Sequence, residues 1–292
     1  MRFPFARRSL ANSRVLITGA SSGIGEALSL QMASHGARLL ITARRKARLD
    51  DLAIRLREYG GIAEVVAGDI TDDELRAELL AAARDRLGGL DILVNNAGVG
   101  AIGDFRDASS DRLRKIMEVN FFAPLELIRA ALPLMEAGDQ PMIVNVSSVL
   151  GHRAVPGKSE YCASKFALHG FSDALRCELA DRHIEVLLVS PSTTQSEFFD
   201  QVLEGHQPIR KGAMTADSVA KSIVVGIQRG RQEIILSWGG RLLVWLDRLC
   251  PPLAGWIVKR GEERGRQGDK ERGRQGDKQR GRSIKSRPDR KK

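Results

Sequence analysis

The chain has 292 residues, 42% of them hydrophobic and 28% charged, with a formal net charge of +10. That apolar content can build a sizeable core and excludes a chain disordered from end to end, while no stretch approaches the ~20 apolar residues of a membrane span. The three cysteines, Cys162, Cys177 and Cys250, have neither a metal-ligand spacing nor the density of a disulfide framework, which makes a reducing, cytoplasmic setting the default expectation.

Residues 1–12 read as a short basic extension, broken by Pro4 and lacking the apolar run of a signal peptide. From there to residue 237, strand-like and helix-like segments alternate as in βαβ units. The first strand is predicted over 14–18, with Val15-Leu16-Ile17 as its apolar run, and leads into Thr18-Gly19-Ala20-Ser21-Ser22-Gly23-Ile24-Gly25. Gly19 permits a tight turn, Gly23 lets the backbone approach a ligand, and Gly25 allows a helix to pack closely on the strand. A helix beginning near Gly23 would offer unpaired N–H groups and a positive dipole end to a pyrophosphate. A plain glycine-rich turn is the alternative, because the spacing is G-x-x-x-G-x-G rather than G-x-G-x-x-G.

Further helices are predicted over Glu26–His35, Lys46–Tyr59, Thr71–Leu87, Ser109–Met135 and Tyr161–Asp181. Strands fit at 37–42, 62–67, 91–94, 141–146, 184–190 and 232–235. Two of these strands end in small polar residues: Asp91-Ile92-Leu93-Val94 runs into Asn95-Asn96-Ala97-Gly98, and Met142 to Val146 opens onto Ser147-Ser148. Ordinary turn chemistry would place the same residue types there. On the helix after them, Tyr161 and Lys165 stand four residues apart and so rise from one face. An ammonium beside a phenol favours the phenolate, which would make Tyr161 a proton donor or acceptor usable near neutral pH.

Taken in order, the glycine-rich turn, Asn-Asn-Ala-Gly, a serine before the tyrosine and Tyr-x-x-x-Lys resemble the short-chain dehydrogenase/reductase family over roughly residues 12–235. The resemblance implies a doubly wound parallel Rossmann sheet of about seven strands with helices on both faces. It also implies a nicotinamide cofactor, and hydride transfer to or from a carbon bearing oxygen in a small carbonyl or alcohol. It places Gly19, Ser21, Ser22, Gly23, Ile24, Gly25, Asn96, Ala97 and Gly98 along the cofactor, with Asp69 at the adenine amino group and Ile70 flanking the ring. Asp69 could equally be a helix cap. In the family pattern the serine stands thirteen residues before the tyrosine, which selects Ser148 over Ser147. Ser148 would donate a hydrogen bond to the substrate oxygen, and Tyr161 would exchange a proton with it. Lys165 would hold the ribose hydroxyls, and Asn120 would position water for a proton path. Ser196 stands where a threonine normally anchors the carboxamide; Ser192 replaces a usual glycine and would be strained there if φ is positive. The family also implies a homodimer or homotetramer.

Cofactor choice turns on the end of the second strand, where Arg44, Arg45 and Lys46 follow Leu39 to Ala43 and no carboxylate occurs. A bare ribose is usually met by an acid here, whereas cations favour a 2′-phosphate. NADP(H) is therefore expected over NAD(H), with a merely solvated basic helix start as the alternative. Glu197 to Pro208 is expected as a lid over an unidentified substrate.

Residues 238–260 are rich in Leu, Trp and Val, and Pro251-Pro252 should break them into two short apolar helices. They could pack as a flap on the pocket or a neighbouring subunit, or lie in a membrane interface, a peripheral contact with anionic lipid. From Lys259 to Lys292 there are 15 Lys/Arg against 6 Asp/Glu, a local charge of +9, leaving +1 for the other 258 residues. Residues 261–292 carry an eight-residue repeat, are almost devoid of apolar side chains, and are expected to be disordered. Nucleic acid is not the expected partner. A rival reading makes the chain an NADP-binding regulator whose basic tail binds a polyanion without turnover.

Overall fold

The computed structural model describes residues 7–195, 213–257 and 260. Ser196, the expected lid and the repeat tail lie outside the described residues. The chain divides into two compact units, residues 1–244 and 245–292.

The first unit begins with β1 (Arg14–Thr18), α1 (Gly23–Ser34), β2 (Arg38–Ala43), α2 (Lys46–Arg57), β3 (Ala63–Ala67), α3 (Asp73–Ala82) and β4 (Ile92–Asn95). It continues through α4 (Ser110–Met117), α5 (Ala123–Glu136), β5 (Met142–Val146), α6 (Ser159–Glu178) and β6 (Glu185–Ser190). The short strands β7 (Thr194–Gln195) and β8 (Met214–Thr215) then pair with each other, before α7 (Ala216–Gln228) and β9 (Glu233–Ile235). The main sheet has seven parallel strands in the order β3-β2-β1-β4-β5-β6-β9. This is the expected doubly wound Rossmann architecture, and each strand of the sheet lies within a residue of its predicted limits. A single helical run from Ser110 to Glu136 replaces the predicted Ser109–Met135, with one π turn over Glu118–Phe122 inside it.

The sheet is buried on both faces because apolar residues predominate in its strands and point to both sides. Val15 and Ile17 point into one core with Leu39, Ile41 and residues of α1, α2 and α7. Leu16, between them, points into the other core with Leu40, Leu93, Ile143 and residues of α3, α5 and α6. All three are fully buried, as expected for a parallel sheet covered by helices on each side. Residues 7–12 of the expected N-terminal extension are part of this packing: Leu10 is buried, and Arg8 donates to the Gln140 carbonyl at 2.8 Å and pairs with Glu185 at 3.3 Å.

Strand order reverses between β1 and β4, so the segments after their carboxyl ends flank the crevice where ligands of such sheets bind. The second unit begins within α8 (Trp238–Leu249), and residues 251–257 form the second short helix that the Pro251–Pro252 pair predicts. Trp238, Leu242, Trp245 and Leu249 are exposed along α8. Among the described residues no helix is long and apolar enough to cross a membrane.

Candidate active site

The glycine-rich turn joins β1 to α1 with Gly19 at φ +66° and Gly23 at φ +59°, conformations that favour glycine. A β-carbon on Gly25 would lie 2.3 Å from the Gly19 carbonyl oxygen and 2.6 Å from the Asn96 amide nitrogen. The third glycine is therefore fixed by close packing, as expected. Ser22 caps α1 in extended backbone without a side-chain hydrogen bond to the helix, so the first N–H groups of the helix are not consumed by their own cap. The turn can therefore accept a pyrophosphate.

The Asn95–Gly98 segment locks this turn in place. Asn96 donates from its side chain to the Thr18 and Gly19 carbonyls at 2.9 and 3.2 Å, and the Asn96 and Ala97 N–H groups both donate to Thr18 Oγ1 at 3.0 Å. Thr18 is thus a site residue that sequence reasoning passed over as a strand end. Beneath it, the buried Asn95 donates to Asn145 at 2.9 Å and Asn145 to Ser172 at 3.0 Å, a chain of amides joining β4, β5 and α6.

At the end of β2 the cations divide. Arg44 is exposed, with no hydrogen bond or ion pair among the described residues, whereas Arg45 folds back onto the glycine turn. Its guanidinium donates to Ser21 Oγ at 3.0 Å and Ser22 Oγ at 2.7 Å. Lys46 pairs with Asp50 on α2. Asp69 accepts from the Thr71 N–H and hydroxyl at 3.1 and 2.9 Å, while the cap of α3 is Asp72, not Asp69. Ile70 is buried in the second core with Leu40 and Val66, a packing role that the resemblance did not anticipate.

Across the crevice, the end of β5 and the start of α6 carry Ser147, Ser148, Tyr161 and Lys165. Ser147 is buried and donates to the Lys165 carbonyl at 3.3 Å, whereas Ser148 is partly exposed. Ser148 Oγ accepts from the Leu150 N–H at 3.1 Å and lies near enough to the Tyr161 phenol to influence its ionisation. With that lone pair held, its O–H proton is free to turn toward Tyr161 or an arriving oxygen. Lys165 is buried, donates to the Val146 carbonyl at 2.9 Å, and sits 5.8 Å from the centre of the Tyr161 ring.

The electrostatics differ from the sequence expectation. Burial pushes the Tyr161 phenol up to about 12, and the Ser148 hydroxyl only partly offsets it. Burial also pushes Lys165 down to about 8. The ammonium lies over the ring and its own charge is penalised by desolvation, so it does not lower the phenol in the free protein. The Tyr161 phenol is held here in its neutral form.

Asn120 also departs from expectation. It lies in the π turn, a local widening of the helix that recurs at functional sites. Its amide donates to the Val99 carbonyl at 2.9 Å and Ser164 Oγ at 3.0 Å, and its oxygen accepts from the Val99 N–H at 2.8 Å. Both side-chain donors are used, so the side chain ties the β4 loop to α6 and has none left to offer a water. Ser164 passes the link on to the Tyr161 carbonyl at 2.8 Å. One residue before Tyr161, Glu160 forms a buried ion pair with Arg112 of α4 at 2.7 Å, a second clamp that sequence reasoning did not find. Ser192 does not adopt positive φ, so the replaced glycine brings no strain.

A family model described as short chain dehydrogenase matches residues 13–207. The chain belongs to the short-chain dehydrogenase/reductase family. Dehydrogenase/reductase SDR family member 7 of Homo sapiens is 35% identical over 269 residues, covering 87% of this chain and 79% of that protein. Among solved structures of the family, a Burkholderia cenocepacia short chain dehydrogenase in complex with NADP superposes with a TM-score of 0.72 at 28% identity, covering 80% of this chain and all of the other. A Burkholderia phymatum short chain dehydrogenase/reductase in complex with NAD gives 0.78 at 25% identity, covering 84% and 96%.

Proposed function

We propose that this oxidoreductase transfers hydride between NADP(H) and a carbonyl or secondary alcohol on a small organic molecule. One observation carries the reading. The Ser148 hydroxyl stands close enough to the Tyr161 phenol to act on its ionisation, with buried Lys165 5.8 Å from the ring centre, at the carboxyl edge of the sheet.

The residues around the glycine turn fit a dinucleotide. A β-carbon on Gly19 would lie 2.8 Å from Ala97 Cα and one on Gly25 2.6 Å from the Asn96 amide nitrogen, so the two segments that would flank the dinucleotide are packed directly on each other. Gly19, Ser21, Ser22, Gly23, Ile24 and Gly25 would hold the pyrophosphate, and Asn96, Ala97 and Gly98 would line its path. Asp69 keeps one carboxylate oxygen for the adenine side after serving Thr71 through the other. When bound, the nicotinamide supplies or accepts the hydride.

The chain's own residues then do three things. Ser148 donates a hydrogen bond to the substrate oxygen as negative charge gathers there. Tyr161, kept protonated by burial, gives its proton to that oxygen, since a nascent alkoxide is a far stronger base than a phenolate. Lys165 keeps further N–H donors beyond the one given to Val146, which suits it to ribose hydroxyls and to stabilising the phenolate left behind. Such a site favours carbonyl reduction at neutral pH, because the required protonation state is the resting one.

The absence of an acid after β2, the exposed Arg44, and Arg45 at Ser21 and Ser22 support the NADP(H) preference. The test is NADPH oxidation at 340 nm against ketones, aldehydes and quinones, with Tyr161→Phe alongside. That variant should lose about 10²–10⁴-fold in turnover with cofactor affinity intact. Near-native turnover would end the mechanism. In the same assay, unchanged NADPH affinity in Arg44→Ala would remove Arg44 from the 2′-phosphate site.

A further inference from the structure

His152, His169 and Glu233 bring three ligating atoms within 4.8 Å of one another from three separate elements. His152 follows the 3₁₀ turn Val149–Gly151, His169 lies on α6 one turn beyond Lys165, and Glu233 opens β9. The chemistry proposed above uses none of them.

Their hydrogen bonding is informative. His169 Nδ1 lies 3.2 Å from the Gly151 carbonyl oxygen. A carbonyl only accepts, so this nitrogen carries the hydrogen and a neutral ring presents a bare lone pair at Nε2. That Nε2 faces the Asp173 carboxylate at 3.3 Å, an arrangement that needs positive charge. His152 Nε2 meets Glu233 Oε1 at 3.3 Å and Ser190 Oγ at 2.8 Å, and the two imidazole rings stand 4.3 Å apart. Protonating both rings would set two cations against each other where the His152 side chain is only 2% exposed. A single divalent ion supplies the positive charge to both rings and to the carboxylates at once.

We propose that His152, His169 and Glu233 bind one divalent transition-metal ion of the zinc type, with solvent or Asp173 in the fourth position. Two imidazoles and a carboxylate are a donor set that zinc accepts. Metal–ligand bonds of about 2.0–2.1 Å imply tetrahedral ligand–ligand edges of about 3.3–3.5 Å. The His152–Glu233 separation of 3.3 Å already has that length, and the wider separations close by side-chain rotation. The Gly151 carbonyl is the outer partner that orients a metal-bound imidazole. Bound there, the ion fastens the turn carrying Ser148 to α6 and to the edge strand, a positioning role that touches no reacting group.

The experiment is titration of the metal-stripped full chain with Zn²⁺ against a chromogenic chelator, together with the visible absorption of the Co²⁺ form. We expect one ion per chain, and at least roughly tenfold weaker binding with loss of the tetrahedral cobalt bands in both His169→Gln and Glu233→Gln. Cys177→Ser and Cys250→Ser should leave binding unchanged. Glu233 is partly exposed, so its variant decides the matter even if His169→Gln fails to fold. No stoichiometric binding, binding undiminished in Glu233→Gln, or an ion lost with either cysteine would each overturn the proposal.

Discussion

At the β1–α1 turn, positions are set by what cannot be added. A methyl group on Gly25 would stand 2.3 Å from a carbonyl oxygen, and Gly19 lies at a φ that side chains avoid. At the β5–α6 face, positions are set by bonds that are made: Ser147 to the Lys165 carbonyl, Lys165 to the Val146 carbonyl, and Asn120 through Ser164 to the Tyr161 carbonyl. Steric exclusion is rigid but carries no charge, which suits a surface that must match a cofactor's backbone. Hydrogen bonds to buried groups set protonation as well as position, which would suit residues that exchange a proton, as proposed for Tyr161. The two faces should therefore fail differently when altered.

The largest effect is expected on the steric side. Gly25→Ala has to push α1 away from Gly19 and Asn96, and overpacking of this kind costs about 1–3 kcal/mol. Dinucleotide affinity should fall below detection and thermal stability should drop together, measured by fluorescence titration and calorimetry. Cofactor binding at the native level would show that the turn is looser than its contacts imply.

On the bonded side, Ser148→Ala removes a donor without adding volume. Turnover should fall about 10²–10³-fold while cofactor affinity and melting temperature hold. A matching fall in stability would instead make Ser148 chiefly the cap of the Val149–Gly151 turn.

The smallest effect, and the one that sharpens the contrast most, is in the pH dependence of stability. Lys165 is lowered to about 8 in the folded protein against an ordinary 10.5. Between those values the unfolded chain binds more protons at this residue, so its contribution to stability rises with pH through that window and is lost as pH falls through about 8. Urea unfolding of the cofactor-free protein at pH 7.5 and 9.5 should show this slope, and Lys165→Met should flatten it. Tyr161, raised to about 12, stays protonated across the same range. Carbonyl reduction should therefore change little from pH 6 to 9, whereas the reverse oxidation should quicken as pH rises. Equal slopes in the Lys165→Met and native chains would show that the lysine is solvated.

Much of this arrangement is local and was therefore legible. Most sheet strands are built around a short apolar run, the glycine turn follows one of them directly, and Tyr161 and Lys165 share a helix face by spacing alone. The partners were not legible because they come from afar: Asn120 and Ser164 are 44 residues apart, Thr18 and Asn96 are 78, and Arg112 and Glu160 are 48. No spacing rule links such pairs.

The sequence by itself determined the alternation of strands and helices and the family, because periodicity and short motifs encode them along the chain. Only the tertiary structure decided which arginine reaches the glycine turn, that Asn120 spends its amide on Val99 and Ser164, and that His152, His169 and Glu233 meet. It also reversed the expected shift of the Tyr161 phenol. Desolvation depends on everything packed around a group, and a neighbouring cation read from sequence carries neither its distance nor its own burial.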